Sequence, residues 1–455
     1  MRLLLIVALG MASWCSAAAA DAPSASTLLR YTAVLNQTAG NGRAEPVREF
    51  GIQALVEFIP GGLPRVTYLF DESSEEQPWP DAFGRFEFDP AGGVVPAHPR
   101  QRHIHDERVT WVPLRMGAYP GHDKLQPVQE WDEGGLRYRV LEDQTINAQL
   151  CRRLEINGDQ GRRTTLSIAK SNGLILAANH RFFVGQGERH DLNLRCDEVT
   201  TPTADVVTAW GQGVQPLIDL RETLRSGAEP LADEPLTEAQ IALAQKSLVT
   251  VDRLTDGTPF AALAAVIRNE VTAGSQRAEA VADLARRFVG RPVPPLRLQL
   301  LDGGEPIHLA KPGVVTVLHF WEYRDSPLTD PYGQVGYLDF LVQRYARQKV
   351  QVYGVISDKR LEVAKTAPLA RRSAMKLKEF MNFSYPVGEE LEKALAALGD
   401  PRTFEVDLPL WVVIGPDGTI LHYHVGIYQV DPSEGLTELD AVIKSALKGS
   451  VPPKN

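Results

Sequence analysis

The stretch Val314-Val-Thr-Val-Leu-His-Phe-Trp321, followed by Glu322-Tyr-Arg-Asp325-Ser-Pro327-Leu328, decides how this chain is read. Its first half is apolar almost without a break and begins with β-branched residues. That is the composition of a strand buried on both faces of a sheet. Its second half is polar, and Pro327 restricts the backbone, so the strand ends at Trp321 and a loop follows. Asp325 carries a carboxylate that suits a helix N-terminus, where it caps exposed N–H groups and complements the helix dipole.

On either side of this stretch, strands and helices alternate from about 291 to 450, which predicts an α/β layer. Val350 to Ile356 reads as a second buried strand. Tyr337, Leu338, Leu341, Val342 and Tyr345 mark one helix face between the two, and Leu391, Ala394, Leu395 and Leu398 mark another later. Leu408-Pro-Leu-Trp-Val-Val-Ile414 predicts a further strand. Pro416-Asp-Gly418 turns the chain, and Ile420 to Val425 returns beside it.

Several segments in this region, taken in order, resemble the TlpA/ResA-like branch of exported thioredoxin-fold proteins, related to the redoxins. They are Gly290-Arg-Pro-Val-Pro-Pro-Leu-Arg-Leu, Gly303-Gly-Glu-Pro-Ile-His-Leu, the strand ending in Phe320-Trp321, Tyr353-Gly-Val-Ile-Ser-Asp358, Leu408-Pro409 and Gly415-Pro-Asp-Gly-Thr-Ile. The resemblance covers the C-terminal third only. It implies a thioredoxin-like domain, thiol–disulfide oxidoreductase relatives, a cis-proline at Pro409, and a groove lined by Trp321, Asp325, Pro327 and Pro409. It also implies that Asp325 and Leu328 occupy the places of the two active-site cysteines. Redox relatives attack a disulfide with a low-pKa thiolate, and a second cysteine resolves the mixed disulfide. A carboxylate and a leucine can do neither, and this region contains no cysteine.

At 455 residues the chain is long enough for two or three domains. A formal charge of −9 argues against nucleic acid and anionic membrane as partners. Met1-Arg-Leu-Leu-Leu-Ile-Val-Ala-Leu, ending in Ala18-Ala-Ala20, reads as a signal peptide over 1–20, so export to a periplasm or the cell exterior is expected. No later run of about 18 apolar residues predicts an integral membrane segment. Two cysteines, Cys151 and Cys196, then remain. An even pair in an oxidising compartment predicts a structural disulfide, with two buried thiols as the alternative.

From 24 to 203, short runs such as Thr27 to Leu35, Phe50 to Phe58, Pro64 to Phe70 and Arg162 to Ile168 are separated by turn residues. They predict an antiparallel β-rich domain. From 204 to 290 the period becomes helical. Thr237-Glu-Ala-Gln240 is a capping box, and Val281, Leu284, Ala285 and Phe288 form an apolar stripe stopped by Gly290. This stretch is expected to be a helical linker or subdomain. The fold class is thus a multidomain α+β chain: β-rich domain, helical connector and α/β thioredoxin-like domain.

His103-Ile-His105 and His422-Tyr-His424 each place two imidazoles on one strand face. They are candidate metal ligands or simply hydrogen-bonded histidines. His98 and Asp106 lie near the first pair in sequence. Lys359 to Lys378 is strongly basic, either docking an acidic partner or forming a solvated helix. No phosphate-binding glycine loop or nucleophilic serine elbow is present. The expected function is that of a binding or assembly module, without cofactor, whose partner is another exported protein or an apolar ligand. The alternatives are a thiol–disulfide oxidoreductase using Cys151 and Cys196, and a metal-handling protein.

Overall fold

The computed structural model describes residues 26–38, 42–59, 62–71, 77–88, 94–105, 108–225, 236–309, 311–325, 334–431 and 433–449. The expected signal peptide over 1–20, Asp106, and the loop positions Pro327 and Leu328 lie outside the described residues. The chain divides into two compact units, Met1–Val271 and Thr272–Asn455.

The strands of the N-terminal unit are β1 (Ser26–Thr38), β2 (Ala44–Glu57), β3 (Arg65–Phe70), β4 (Phe83–Phe88), β5 (Val94–Val95), β6 (Arg100–His105), β7 (Arg108–Pro113), β8 (Glu130–Glu133), β9 (Leu136–Ile146), β10 (Gln149–Asn157), β11 (Arg163–Ala169), β12 (Ile175–Val184) and β13 (Glu188–Thr200). One 11-stranded sheet runs in the order β5-β4-β3-β2-β1-β13-β12-β11-β10-β9-β8, while β6 and β7 pair separately as a hairpin. Neighbours in the large sheet pair antiparallel, as the alternating pattern predicts. In β1, Leu29, Tyr31, Ala33 and Leu35 are buried and Arg30 is exposed, so one face is dry. Tyr31 sits deep in that face. Its hydroxyl donates to Ile175 O at 2.8 Å and accepts from Gly117 N at 3.1 Å, which removes the cost of burying it.

Three helices follow: α1 (Ala204–Arg225), α2 (Glu238–Thr255) and α3 (Ala261–Phe288). The capping box forms. Gln240 N donates to Thr237 Oγ1 at 3.3 Å, and Thr237 N donates to Gln240 Oε1 at 3.0 Å. The expectation of a separate helical connector over 204–290 is corrected. Trp210, Val214, Leu217 and Leu220 of α1, Ile241 and Ala244 of α2, and Leu263, Ile267 and Val271 of α3 belong to the same core as the β1 stripe. Leu284, further along α3, lies in a core of the C-terminal unit with Phe288 packed against it. The physical reason is that an amphipathic helix must bury its stripe, and a sheet with one dry face offers the surface.

The C-terminal unit contains β14 (Arg297–Leu300), β15 (Ile307–His308), β16 (Val315–Trp321), α4 (Val335–Arg344), β17 (Val350–Ile356), α5 (Ala367–Met381), β18 (Val387–Leu391), α6 (Ala394–Ala397), β19 (Leu410–Ile414), β20 (Ile420–Val425) and α7 (Thr437–Leu447). Its seven-stranded sheet has the order β15-β14-β18-β17-β16-β19-β20. β16, β17 and β18 are parallel, whereas β19 and β20 run antiparallel. A β16–α4–β17 crossover followed by a β19–β20 hairpin and a closing helix is the thioredoxin-like arrangement that the resemblance implied. β16 is buried on both faces. Val315 and Val317 join one core with Leu338, Leu377 and Ile443, while Leu318 and Phe320 join another with Leu395 and Leu398. The second apolar run read as a helix face is corrected: Leu391 ends strand β18, and α6 is a single short turn.

Candidate functional site

In a parallel sheet, ligand and catalytic groups collect at the carboxyl ends of the strands. Trp321 ends β16 and Asp358 follows β17 at that edge. The pairing of Phe320 with Leu410 brings the start of β19, and with it Pro409, to the same edge. The Leu408–Pro409 peptide bond is cis, as expected. Trp321, Asp325 and Pro409 of the expected groove are therefore described at one end of one sheet, while Pro327 is not described.

The chain leaving β16 is fixed from below. Tyr323 is fully buried, takes a left-handed backbone conformation (φ 51°), and sets its hydroxyl 2.9 Å from His319 Nδ1. Its ring lies over Gly354, where an added Cβ would stand 2.3 Å from the Tyr323 hydroxyl. The glycine of the Tyr353-Gly-Val motif is thus required by the close approach of an aromatic side chain.

Asp325 is anchored to α5. Its backbone N donates to Ser373 Oγ at 2.9 Å, Ser373 Oγ donates to its Oδ1, and Lys376 Nζ stands 3.4 Å from its Oδ2. The bond from Ser373, aided by Lys376, holds this carboxyl below the usual range. Beside it lies a second charged group. Asp358 is almost fully buried and accepts from Arg360 N at 2.8 Å, with Arg360 Nη2 2.6 Å and Arg324 Nε 3.5 Å from its Oδ2. Arg324 also pairs with Glu322 at 2.6 Å. Burial by itself would raise the Asp358 carboxyl, but the bonds from Arg360 and the charge of Arg324 outweigh it and keep it low. The basic stretch is largely committed within the unit. Arg360, Arg371, Lys376 and Lys378 face Asp358, Glu389, Asp325 and Asp302 respectively.

The predicted Cys151–Cys196 disulfide is corrected. Both residues are unbridged, fully buried thiols. Cys151 lies on β10 and Cys196 on β13, with β11 and β12 between them. Three inter-strand steps of about 4.8 Å follow along the sheet, while a bridge needs Cα atoms within roughly 7 Å. Burial raises the Cys151 thiol and pushes that of Cys196 up to about 11, the opposite of the lowering that activates a thiol.

The histidine pairs fare differently. His103 and His105 gather a third member, His190 of β13, with one ligand atom from each within 4.8 Å of the others. His422 and His424 are joined by Glu438 of α7. His422 Nε2, however, already bonds the Tyr428 hydroxyl at 2.7 Å, and the Tyr428 ring stacks on His424 with centroids 4.0 Å apart. Burial lowers both to about 4. His98 stands apart from either group, packed on Phe86 and Phe88.

His190, Ser373 and the pairing of Lys376 with Asp325 were not read from the sequence. A trace of the first exists: Cys196, Leu194, Leu192, His190 and Glu188 share one parity on β13, so the apolar stripe turns polar. No comparable trace reveals Ser373, because its contact spans 48 residues.

No family model matches the chain, and no curated protein matches it either. Three solved structures illustrate what it is similar to. An uncharacterized conserved protein from Geobacillus kaustophilus is 16% identical, with 37% of this chain and 86% of that one covered and a TM-score of 0.28. A thiol-disulfide oxidoreductase from Bacteroides fragilis is 16% identical, with 34% and 99% covered and a TM-score of 0.25. A thiol:disulfide interchange protein from a Bacteroides species is 16% identical, with 35% and 90% covered and a TM-score of 0.26.

Proposed function

We propose that this chain is an exported protein of the TlpA/ResA-like branch whose thioredoxin-like unit binds a protein partner and performs no dithiol chemistry. The observation that supports the reading is the Asp325 carboxylate, tied to Ser373 and Lys376 of α5, at a position that the resemblance implies is the attacking thiol's. Attack on a disulfide needs a thiolate, and exchange needs a second thiol to release the mixed intermediate. The C-terminal unit has no cysteine to supply either. What it keeps is the sheet edge with cis-Pro409 and the exposed end of the Trp321–Asp325 segment, a surface suited to an extended peptide.

Insulin reduction in the presence of a small dithiol tests the chemical half. The expected result is the rate of the blank. Turnover above the blank that disappears in Cys151→Ser would overturn the reading in favour of an oxidoreductase. A panel of extended peptides passed over the immobilised chain tests the binding half. Retention that is lost in Asp325→Arg is expected, and equal retention by the two proteins would count against the surface.

A further inference from the structure

We infer that His103, His105 and His190, completed by the Glu188 carboxylate, form a binding site for one divalent transition-metal ion of the zinc or copper class. The site lies in the N-terminal unit and is independent of the reading of the thioredoxin-like unit.

The ligands come from two elements distant in sequence. His103 and His105 occupy alternate positions of β6 and so project from one side of the hairpin. His190 and Glu188 occupy alternate positions of β13. The three rings face one another, with centroids 4.8 Å apart for His103 and His190, 5.5 Å for His105 and His190, and 6.0 Å for His103 and His105. His105 Nε2 lies against Glu188 Oε2.

The hydrogen bonding of His190 decides which nitrogen is available. Its Nδ1 is 3.2 Å from Glu188 O. A carbonyl oxygen only accepts, so Nδ1 carries the proton and Nε2 the lone pair. That Nε2 is buried in a fully buried residue and has no hydrogen-bond partner among the described residues; the Nε2 atom of half-buried His103 is likewise buried and without a partner among them. Two buried ring nitrogens left unsatisfied are costly in a folded core. A cation between them removes that cost. A ligand imidazole whose other nitrogen donates to a backbone carbonyl is the usual way a metal-binding histidine is oriented. Phe182 stacks on His190 at 5.5 Å and meets His103 edge-on at 6.3 Å, which limits rotation of both rings.

The donor set selects the ion. Imidazoles with one carboxylate suit zinc and copper(II), whereas calcium and magnesium require oxygen ligands. Zinc bonds of 2.0–2.1 Å set tetrahedral ligand atoms about 3.4 Å apart. The three imidazole ligand atoms lie within 4.8 Å of one another, so a small inward shift of the rings brings them to that spacing. In the second histidine pair His422 Nε2 is taken by the Tyr428 hydroxyl, which is not a usual zinc ligand, whereas His105 Nε2 meets a carboxylate that can itself bind the ion.

The test is titration of the metal-stripped full chain with cobalt(II), read by its visible ligand-field bands, with zinc displacing it. One equivalent bound with the intense bands of a four-coordinate site is expected. His103→Gln is the decisive variant, because His103 is only half-buried and circular dichroism checks its fold. It should weaken cobalt and zinc by more than roughly 100-fold, beyond the range typical of losing an outer partner, and Glu188→Gln should weaken them less. His424→Gln should change neither. The inference fails if no stoichiometric metal is bound, if folded His103→Gln binds as tightly as the parent, or if His424→Gln alone abolishes binding.

Discussion

In the N-terminal sheet, β1 points Leu29, Tyr31, Ala33 and Leu35 into the core and leaves Arg30 in solvent. In the C-terminal sheet, β16 buries Val315 to Phe320 without a break. The one-sided sheet has somewhere to place polar side chains, and its stripe on β13 ends in His190 and Glu188 at the edge of the dry face. The two-sided sheet has no such room along its central strands. It collects its charged groups where the strands stop, at Glu322, Arg324, Asp325 and Asp358. Where a sheet is covered on both faces, chemistry moves to the loops at strand ends. Where one face is covered, a hairpin laid across it can build a site within the strands.

The largest expected break falls on the two-sided sheet. Trp411 is fully buried, with the His319 ring tilted against it at 4.1 Å and the Tyr428 ring meeting it edge-on at 5.4 Å. Trp411→Ala should cost about 3–5 kcal/mol and unfold the C-terminal unit before the N-terminal one in a denaturant titration. Simultaneous loss of both units at one midpoint would erase the distinction.

Acid should strike both sheets. His103, His422 and His424 are lowered from 6.5 to about 4, by burial first and by neighbouring positive charge second in His103 and His424. These rings stay neutral when folded, whereas the unfolded chain takes up protons below pH 6.5. Their stability contribution is therefore full above that pH and is lost progressively as pH falls toward 4, by an amount of order a few kcal/mol. Thermal melts between pH 7 and 4 read this. A zinc-loaded sample should resist the fall more in the N-terminal unit than in the C-terminal one.

Gly354→Ala should cost about 1–3 kcal/mol, since its Cβ would collide with the Tyr323 hydroxyl. Tyr31→Phe should cost about as much, roughly 1–3 kcal/mol, because Ile175 O loses its donor and Gly117 N its acceptor inside the dry face. The smallest effect belongs to the loop. Ser373→Ala removes the main bond on a partly exposed carboxylate and should cost no more than about 1 kcal/mol after solvent screening. It should also raise the Asp325 pKa in an NMR titration, and an unmoved titration would mean that Ser373 does not hold the carboxylate.

Much of the fold was legible because it depends on local pattern. Alternation marked β1, β2 and β3, and unbroken apolar runs marked β16 and β17. The capping box at Thr237 formed as read. The errors have a common cause. The 204–290 helices read as a connector because amphipathicity shows that a stripe must be buried but not against what. Leu391 and Ala394 read as one helix face because a short apolar run fits either period. Cys151 and Cys196 read as a pair because each lies in a strand, while sheet order, which separates them by two strands, leaves no local mark.

The order of residues alone establishes that the C-terminal unit contains no cysteine. No arrangement of the chain puts a cysteine where Asp325 stands, and thiol exchange is a property of side-chain chemistry. It also determined the two His-x-His pairs, since alternate residues of a strand share a face. What each pair meets is set by the packing of strands far apart in the chain. One pair gains His190 and Glu188 across a gap of more than eighty residues, and the other surrenders a nitrogen to Tyr428. The reason is physical. Spacing along a strand is fixed by backbone geometry, whereas contacts between distant strands are set by sheet order and by which hairpin covers which face.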